Sequence, residues 1–255
     1  MDGDVRLRIE DGVAELVLDR PAKHNAVTPA MAGRLLDHAR ALDAEDRVRA
    51  ILIRGEGERA FCAGSDLNAL AAYPSAWHFR NRVEYATAIR NIRKPVVAAL
   101  QGWTLGGGAE AALSADLRIA SETTRLGFPE VQRGWVGGGG ASQLLPRLIG
   151  QGQAARLLML GEPIDAAEAL RLGIVEEVVA QPALLDRARE IARKLAALSP
   201  VAVQSVKAAM RMAWEAPLSA GLAYENEMNV LCFSAGDHLE GIRAFNEKRP
   251  AEFAR

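Results

Sequence analysis

The apolar runs "VRAILIR" (48–54), "VVAAL" (96–100) and "LRIA" (117–120) alternate with stretches of helical character, and this alternation constrains the fold most. Short strands interleaved with helices require βαβ-type crossovers, hence an α/β fold with a largely parallel sheet. Ahead of them, Val5, Leu7 and Ile9 alternate with polar residues, Asp11-Gly12 forms a tight turn and "VAELVL" follows, which reads as a β-hairpin. Met31, Leu35, Ala39 and Leu42 recur at helical spacing. A long helix is expected from about Trp77 to Ile92, before Lys94-Pro95, and another from about Gly107 to Ala115. After Ser142 the pattern turns mostly helical, with a capping box in "DAAE" (165–168), a C-terminal cap at Gly173 and a last short strand in "IVEEVV". Beyond Pro182 only helices are expected, at about 183–197, 200–213, 217–233 and 237–247, with Ser199 capping the second. The 255 residues thus divide into a mixed α/β core, 1–181, and a helical C-terminal segment, 182–255. No internal repeat is visible.

A net charge of −1 offers no attraction for nucleic acid or an anionic membrane. The four histidines are scattered and form no metal-binding motif. Cys62 and Cys232 lie among apolar neighbours and read as buried thiols. The charged, alternating start "MDGDVRLRIE" is no signal peptide, and no apolar run reaches membrane-spanning length, so the expected location is the cytoplasm.

The stretch "GWTLGGGAE" (102–110) places a carboxylate directly after three glycines, which are entropically costly unless something must approach the backbone closely. A dinucleotide fingerprint fits poorly, since Glu130 follows Pro129 in a loop instead of ending the next strand. Close helix packing explains small residues but not an acid in the otherwise apolar "AEAALSADL". A third reading joins two loops. A helix N-terminus presents unsatisfied N–H groups, so Gly107 together with an N–H from "FCAGSD" (61–66) would form an oxyanion hole. With Glu110 and Glu130 beside it, two donors and two carboxylates describe proton chemistry next to a carbonyl.

These residues resemble the crotonase (enoyl-CoA hydratase/isomerase) family. The matching stretches are "PAKHNAV" (21–27), "RAFCAGSDL" (59–67), "KPVVAALQGWTLGGGAEAALSADLRIA" (94–120), "LGFPEVQRG" (126–134), "GEPIDAAEALRLGIVEEVV" (161–179) and "DHLEGIRAFNEKRPAEF" (237–253). The resemblance implies a spiral of ββα units with a helical C-terminal trimerisation segment. It implies an oxyanion hole from the backbone N–H groups of Ser65 and Gly107, with Glu110 as base and Glu130 as the acid that supplies the Cα proton. The substrate would be an acyl-CoA thioester, hydrated from 2-enoyl-CoA to 3-hydroxyacyl-CoA, with no resident cofactor because coenzyme A is part of the substrate. The backbone around Lys23 and Ala26 would hold CoA, with Ala63, Asp66 and Leu67 near the adenine. Phe245 and Lys248 match positions that close the CoA site, often from a neighbouring subunit of a trimer or a pair of trimers.

Retention of both glutamates favours hydration; the alternatives within the resemblance are an isomerase of 3-enoyl thioesters, a specialised pathway-specific hydratase, or a non-catalytic acyl-CoA binder. The chain departs from the family pattern in "GWVGGGG" (134–140), where Gly137 replaces a proline and Trp135 adds a ring for either the core or the acyl pocket. "NALAAYPSAWHF" (68–79) contributes Tyr73, Trp77 and Phe79 to the acyl-pocket wall or to a helix core.

Overall fold

The computed structural model describes residues 3–253. The expected hairpin is present: β1 (Asp4–Glu10) pairs antiparallel with β2 (Val13–Asp19). Asp11 and Gly12 between them take φ of 50° and 77°, the two left-handed residues that a tight hairpin loop needs. Helix α1 (Pro29–Ala44) starts where the Thr28 hydroxyl accepts the Met31 N–H, and it buries Met31, Leu35, Ala39 and Leu42.

Three turns of a repeating unit follow, each with a strand in a large sheet, a strand in a small sheet, and helix. The first is β3 (Ala50–Gly55), β4 (Ala60–Cys62) and the short helices α2 (Leu67–Ala71), α3 (Ala76–Arg80) and α4 (Tyr85–Arg90). The second is β5 (Val96–Leu100), β6 (Trp103–Leu105) and α5 (Gly107–Ser114). The third is β7 (Leu117–Ser121), β8 (Arg125–Gly127) and the pair α6 (Ala141–Ile149) and α7 (Gln151–Leu160). Then come β9 (Ile164–Asp165), α8 (Ala166–Arg171) and β10 (Glu177–Val179). The chain finishes with α9 (Leu184–Ala196), α10 (Pro200–Glu215), α11 (Leu218–Ala235) and α12 (Asp237–Glu247).

The large sheet runs β1-β2-β3-β5-β7-β10 and the small one β4-β6-β8-β9. From β2 to β10 every pair in the large sheet is parallel, as are β4·β6 and β6·β8. This is the spiral of ββα units that the resemblance implies. Both faces of the sheet's centre are covered, which is why β3 and β5 read as apolar runs. On one face Ile51, Ile53, Val96, Ala98 and Leu100 pack with α1, α4 and α5; on the other Ala50, Leu52, Val97 and Ala99 meet α9. Helix α9 offers Leu184, Ala188, Ala192 and Ala196, four-residue spacing of mostly small side chains that lets it lie close on the sheet.

The helix over 77–92, the buried thiol at Cys232 and the core alternative for Trp135 need correction; Cys232 is only half-buried. The long helix over 77–92 is broken into α3 and α4, because Ser75 and Glu84 each cap a separate start, accepting the N–H groups of His78 and Ala86. Trp135 is not in the core: it is 41% exposed, and its ring stands 5.3 Å from that of Phe79.

Helix α10 is tied to the core by a buried cation. Lys207 Nζ donates to Asp116 Oδ2 at 2.5 Å and to the Lys94 carbonyl at 2.8 Å, while Asp116 also accepts the Val96 N–H. Beyond that tie α10 packs on α11 and α11 on α12. Met210, Trp214, Leu218, Leu222, Phe233 and Ile242 remain exposed on these helices.

Candidate active site

The triple glycine lies at the carboxyl end of β6, and each member meets a different neighbour. Gly106 caps α5 with φ 54° and ψ −127°, a conformation that L side chains avoid, and a Cβ there would stand 3.2 Å from Glu130 Oε1. A Cβ on Gly107 would collide with the Tyr85 hydroxyl, and one on Gly108 with the carbonyl of Cys62 in β4. The close approach suggested by the glycines is thus made by a carboxylate, a phenol and a neighbouring strand.

The loop after β4 comes to the same place. A Cβ on Gly64 would lie 3.2 Å from the Gly107 nitrogen. Loop 24–27 staples this segment: Val27 N–H donates to the Gly64 carbonyl, Asp66 N–H to the Val27 carbonyl and Ala63 N–H to the His24 carbonyl. Asn25, fully buried, fixes that loop by donating to the carbonyls of Glu56 and Ala60. Among the described residues the Ser65 and Gly107 N–H groups have no hydrogen-bond partner. Two adjacent, unpaired backbone donors, one at a helix N-terminus, suit a developing negative oxygen.

Glu110 sits in the first turn of α5 and is 3% exposed. Its Oε1 accepts the Ala141 N–H, the first of α6, at 3.0 Å. Gly137 and Gly139 leave room for it, since a Cβ at Gly137 would lie 2.5 Å from Oε1 and one at Gly139 2.8 Å from Oε2. Glu130 follows Pro129 in a 3-10 turn (Pro129–Arg133). Burial pushes its carboxyl above the ordinary glutamate range; its own backbone N–H and Arg133 oppose the shift, and the charge of Glu110 adds to it.

Two residues here carried no sequence signal, being hidden inside the expected long helix. Glu84 caps α4, pairs with Arg82 at 3.3 Å and is raised by burial, the Ala86 N–H opposing and the charge of Glu110 adding. Tyr85 is 5% exposed, and its hydroxyl lies 3.3 Å from Ser65 Oγ. A cavity of about 240 Å³ lies beside them, lined by Ser65, Glu84 and Tyr85 together with Val27, Leu70 and Tyr73. At its rim Tyr73 packs edge-on against Phe79, and the Arg82 guanidinium covers Phe79 at 4.1 Å.

The other expected positions divide into two groups. Lys23 is exposed on a 3-10 turn (Pro21–Lys23), and the Ala26 carbonyl accepts from Arg20. Asp66 caps α2 and pairs with Arg20 at 2.6 Å, and Leu67 opens that helix, exposed. With Ala63 these lie together on the two stapled loops. Phe245 and Lys248 do not join them: they belong to the end of α12, whose main packing is against α11, and Phe245 is 84% exposed. Cys62 is a buried free thiol, pushed up to about 12 by burial.

A family model described as enoyl-CoA hydratase/isomerase matches residues 8–255. The short-chain-enoyl-CoA hydratase of Clostridium acetobutylicum is 35% identical over 98% of this chain and 97% of its own. The 2,3-dehydroadipyl-CoA hydratase of Escherichia coli is 36% identical over 93% of both. The crystal structure of an enoyl-CoA hydratase from Bacillus anthracis superposes with a TM-score of 0.91 at 34% identity, covering 98% of each chain.

Proposed function

This chain belongs to the enoyl-CoA hydratase/isomerase (crotonase) family, and we propose that it adds water to 2-enoyl-CoA thioesters to give 3-hydroxyacyl-CoA. The observation that carries the reading is the meeting of the unpaired N–H groups of Ser65 and Gly107 with two carboxylates, Glu110 and Glu130, held close enough for one to raise the other.

The two N–H groups hydrogen-bond the thioester oxygen and draw charge onto it, so that Cβ becomes electrophilic. Glu110 removes a proton from water as its oxygen attacks Cβ, and Glu130 delivers a proton to Cα as the enolate collapses. The upward shift of the Glu130 carboxyl, caused first by burial, runs in the direction that an acid role requires. Addition of water is redox-neutral and draws on the protein, the thioester and solvent alone. CoA lies along the stapled loops at Lys23, Ala26, Ala63, Asp66 and Leu67. Phe245 and Lys248 cover the CoA site of a neighbouring subunit in a homotrimer or a pair of trimers, which also buries the apolar surface of α10–α12. Cys62 as a free thiol supports a reducing, cytoplasmic setting; among the described residues no helix is long and apolar enough to cross a membrane.

The deciding experiment follows the conjugated enoyl absorbance of crotonyl-CoA and of longer, branched and aromatic 2-enoyl-CoA thioesters on adding the protein. Loss of that absorbance with formation of the 3-hydroxyacyl product is expected. Turnover of 3-enoyl thioesters alone, or binding without turnover across the panel, would overturn the reading.

A further inference from the structure

The roles assigned above leave two hydroxyl groups at the oxyanion site without a task. Tyr85 opens α4, is buried among Ala86, Ile89 and Cys62 in the core, and turns its polar end toward the triple glycine. The hydroxyl rests where a side chain on Gly107 would begin, and also contacts Ser65 Oγ at 3.3 Å. Ser65 Oγ itself lies 3.7 Å from that same Gly107 Cβ position. The phenol oxygen therefore touches both residues whose N–H groups are unpaired, and both Ser65 and Tyr85 line the 240 Å³ cavity.

A buried tyrosine hydroxyl normally satisfies both its donor and its acceptor capacity. Here the Ser65 hydroxyl is its single hydrogen-bond partner among the described residues, and Tyr85 is the only hydroxyl partner of Ser65 Oγ. Two hydroxyls bonded to each other use one proton and leave the other over. With Ser65 Oγ–H donating to Tyr85 Oη, the phenolic proton is the one left for a further acceptor. Burial, reinforced by the charge of neighbouring acidic groups, pushes the phenol well above its ordinary value, so it keeps that proton throughout the working pH range.

We propose that the Tyr85 hydroxyl, oriented by Ser65 Oγ, is a third hydrogen-bond donor to the thioester oxygen, beside the two backbone N–H groups. Tyr85 then touches substrate and acts as a catalytic residue, while the Ser65 side chain is a positioning residue that acts through it. No bond to Tyr85 forms or breaks; its proton is shared with the oxygen as charge builds there and returns as the enolate collapses. The inference rests on the hydratase reading for its rate effects, but not for its effect on carbonyl polarisation.

The test compares Tyr85→Phe, Ser65→Ala and the double variant, each checked for native circular dichroism and thermal midpoint. The first readout is the absorbance shift of para-dimethylaminocinnamoyl-CoA on binding, since donors on the carbonyl of a push–pull enoyl thioester move its band to longer wavelength. The second is the split between kcat and KM for hydration. Tyr85→Phe should reduce the red shift and lower kcat by about 10²-fold with KM changed less than about threefold, the size of one lost oxyanion donor. Ser65→Ala should give a smaller loss of both, and the double variant should be no worse than Tyr85→Phe alone. An unchanged red shift in Tyr85→Phe overturns the proposal, as does a change confined to KM or to stability. A wild-type protein that shifts the probe band yet hydrates no enoyl-CoA overturns the hydratase reading, leaving the red-shift comparison to decide the role of Tyr85.

Discussion

At the residue scale the site is a set of like charges held near one another. Glu130 feels burial first and the charge of Glu110 in addition, and both act to keep it protonated. Replacing Glu110 by Gln removes one of these, so the titration of Glu130 should move down toward the ordinary range, read by ¹³C chemical shift of its carboxyl carbon. Hydration that needs the Glu130 proton is complete below the raised value and falls as pH climbs through it. The alkaline limb of kcat/KM should therefore disappear in Glu130→Gln. Both Gln variants should lose roughly 10²–10⁴ in kcat with CoA affinity kept; unimpaired turnover in either would remove that residue from the mechanism. The same shift has a stability sign. The unfolded chain ionises Glu130 at lower pH than the folded one, so stability falls as pH rises from the ordinary value through the raised one. Glu130→Gln should thus be at least as thermally stable as wild type at pH 8, with the advantage vanishing below pH 4. The two glutamates proposed as acid and base could be singled out because each follows a motif, the triple glycine and Phe128-Pro129. Glu84 and Tyr85 follow nothing comparable, and their placement depends on where a helix breaks.

At the element scale, periodicity located the elements that bury whole faces and missed those that do not. The runs "AILI" and "VVAAL" became β3 and β5 because parallel strands covered on both sides must be apolar throughout. The strands of the small sheet have two or three residues each, too short for alternation to register, so the repeated ββα unit left no trace as a sequence repeat. The split between α3 and α4 was missed because apolar spacing continues across it, while the caps at Ser75 and Glu84 decide the matter locally. Buried charge holds α10 to the core in a way composition could not show. Burial lowers the ammonium of Lys207 from its ordinary value even with Asp116 in contact. Asp116→Ala should cost about 3 kcal/mol in urea unfolding, since it strands a buried cation and frees the Val96 N–H. Lys207→Met, which removes the cation along with the need for its partner, should cost less. Equal losses in the two variants would show that the pair is not the tie described.

For the molecule as a whole, α9 completes the sandwich around the large sheet, whereas α10–α12 leave apolar side chains in solvent. Sedimentation should find a trimer or hexamer, and Met210→Asp with Trp214→Asp should shift it toward monomer and raise KM for the CoA thioester by removing the neighbour's Phe245. A wild-type monomer with full activity would sink the proposed assembly. The spiral itself carries a further consequence. Ser65 and Gly107 stand just past the carboxyl ends of β4 and β6, which are hydrogen-bonded parallel neighbours. The two strands that deliver the donor loops are thus set at the spacing of adjacent strands, about 4.7–4.9 Å in any sheet. A backbone ruler of this kind does not depend on Glu110 or Glu130: exchanging either should leave the width between the two proposed donors unchanged.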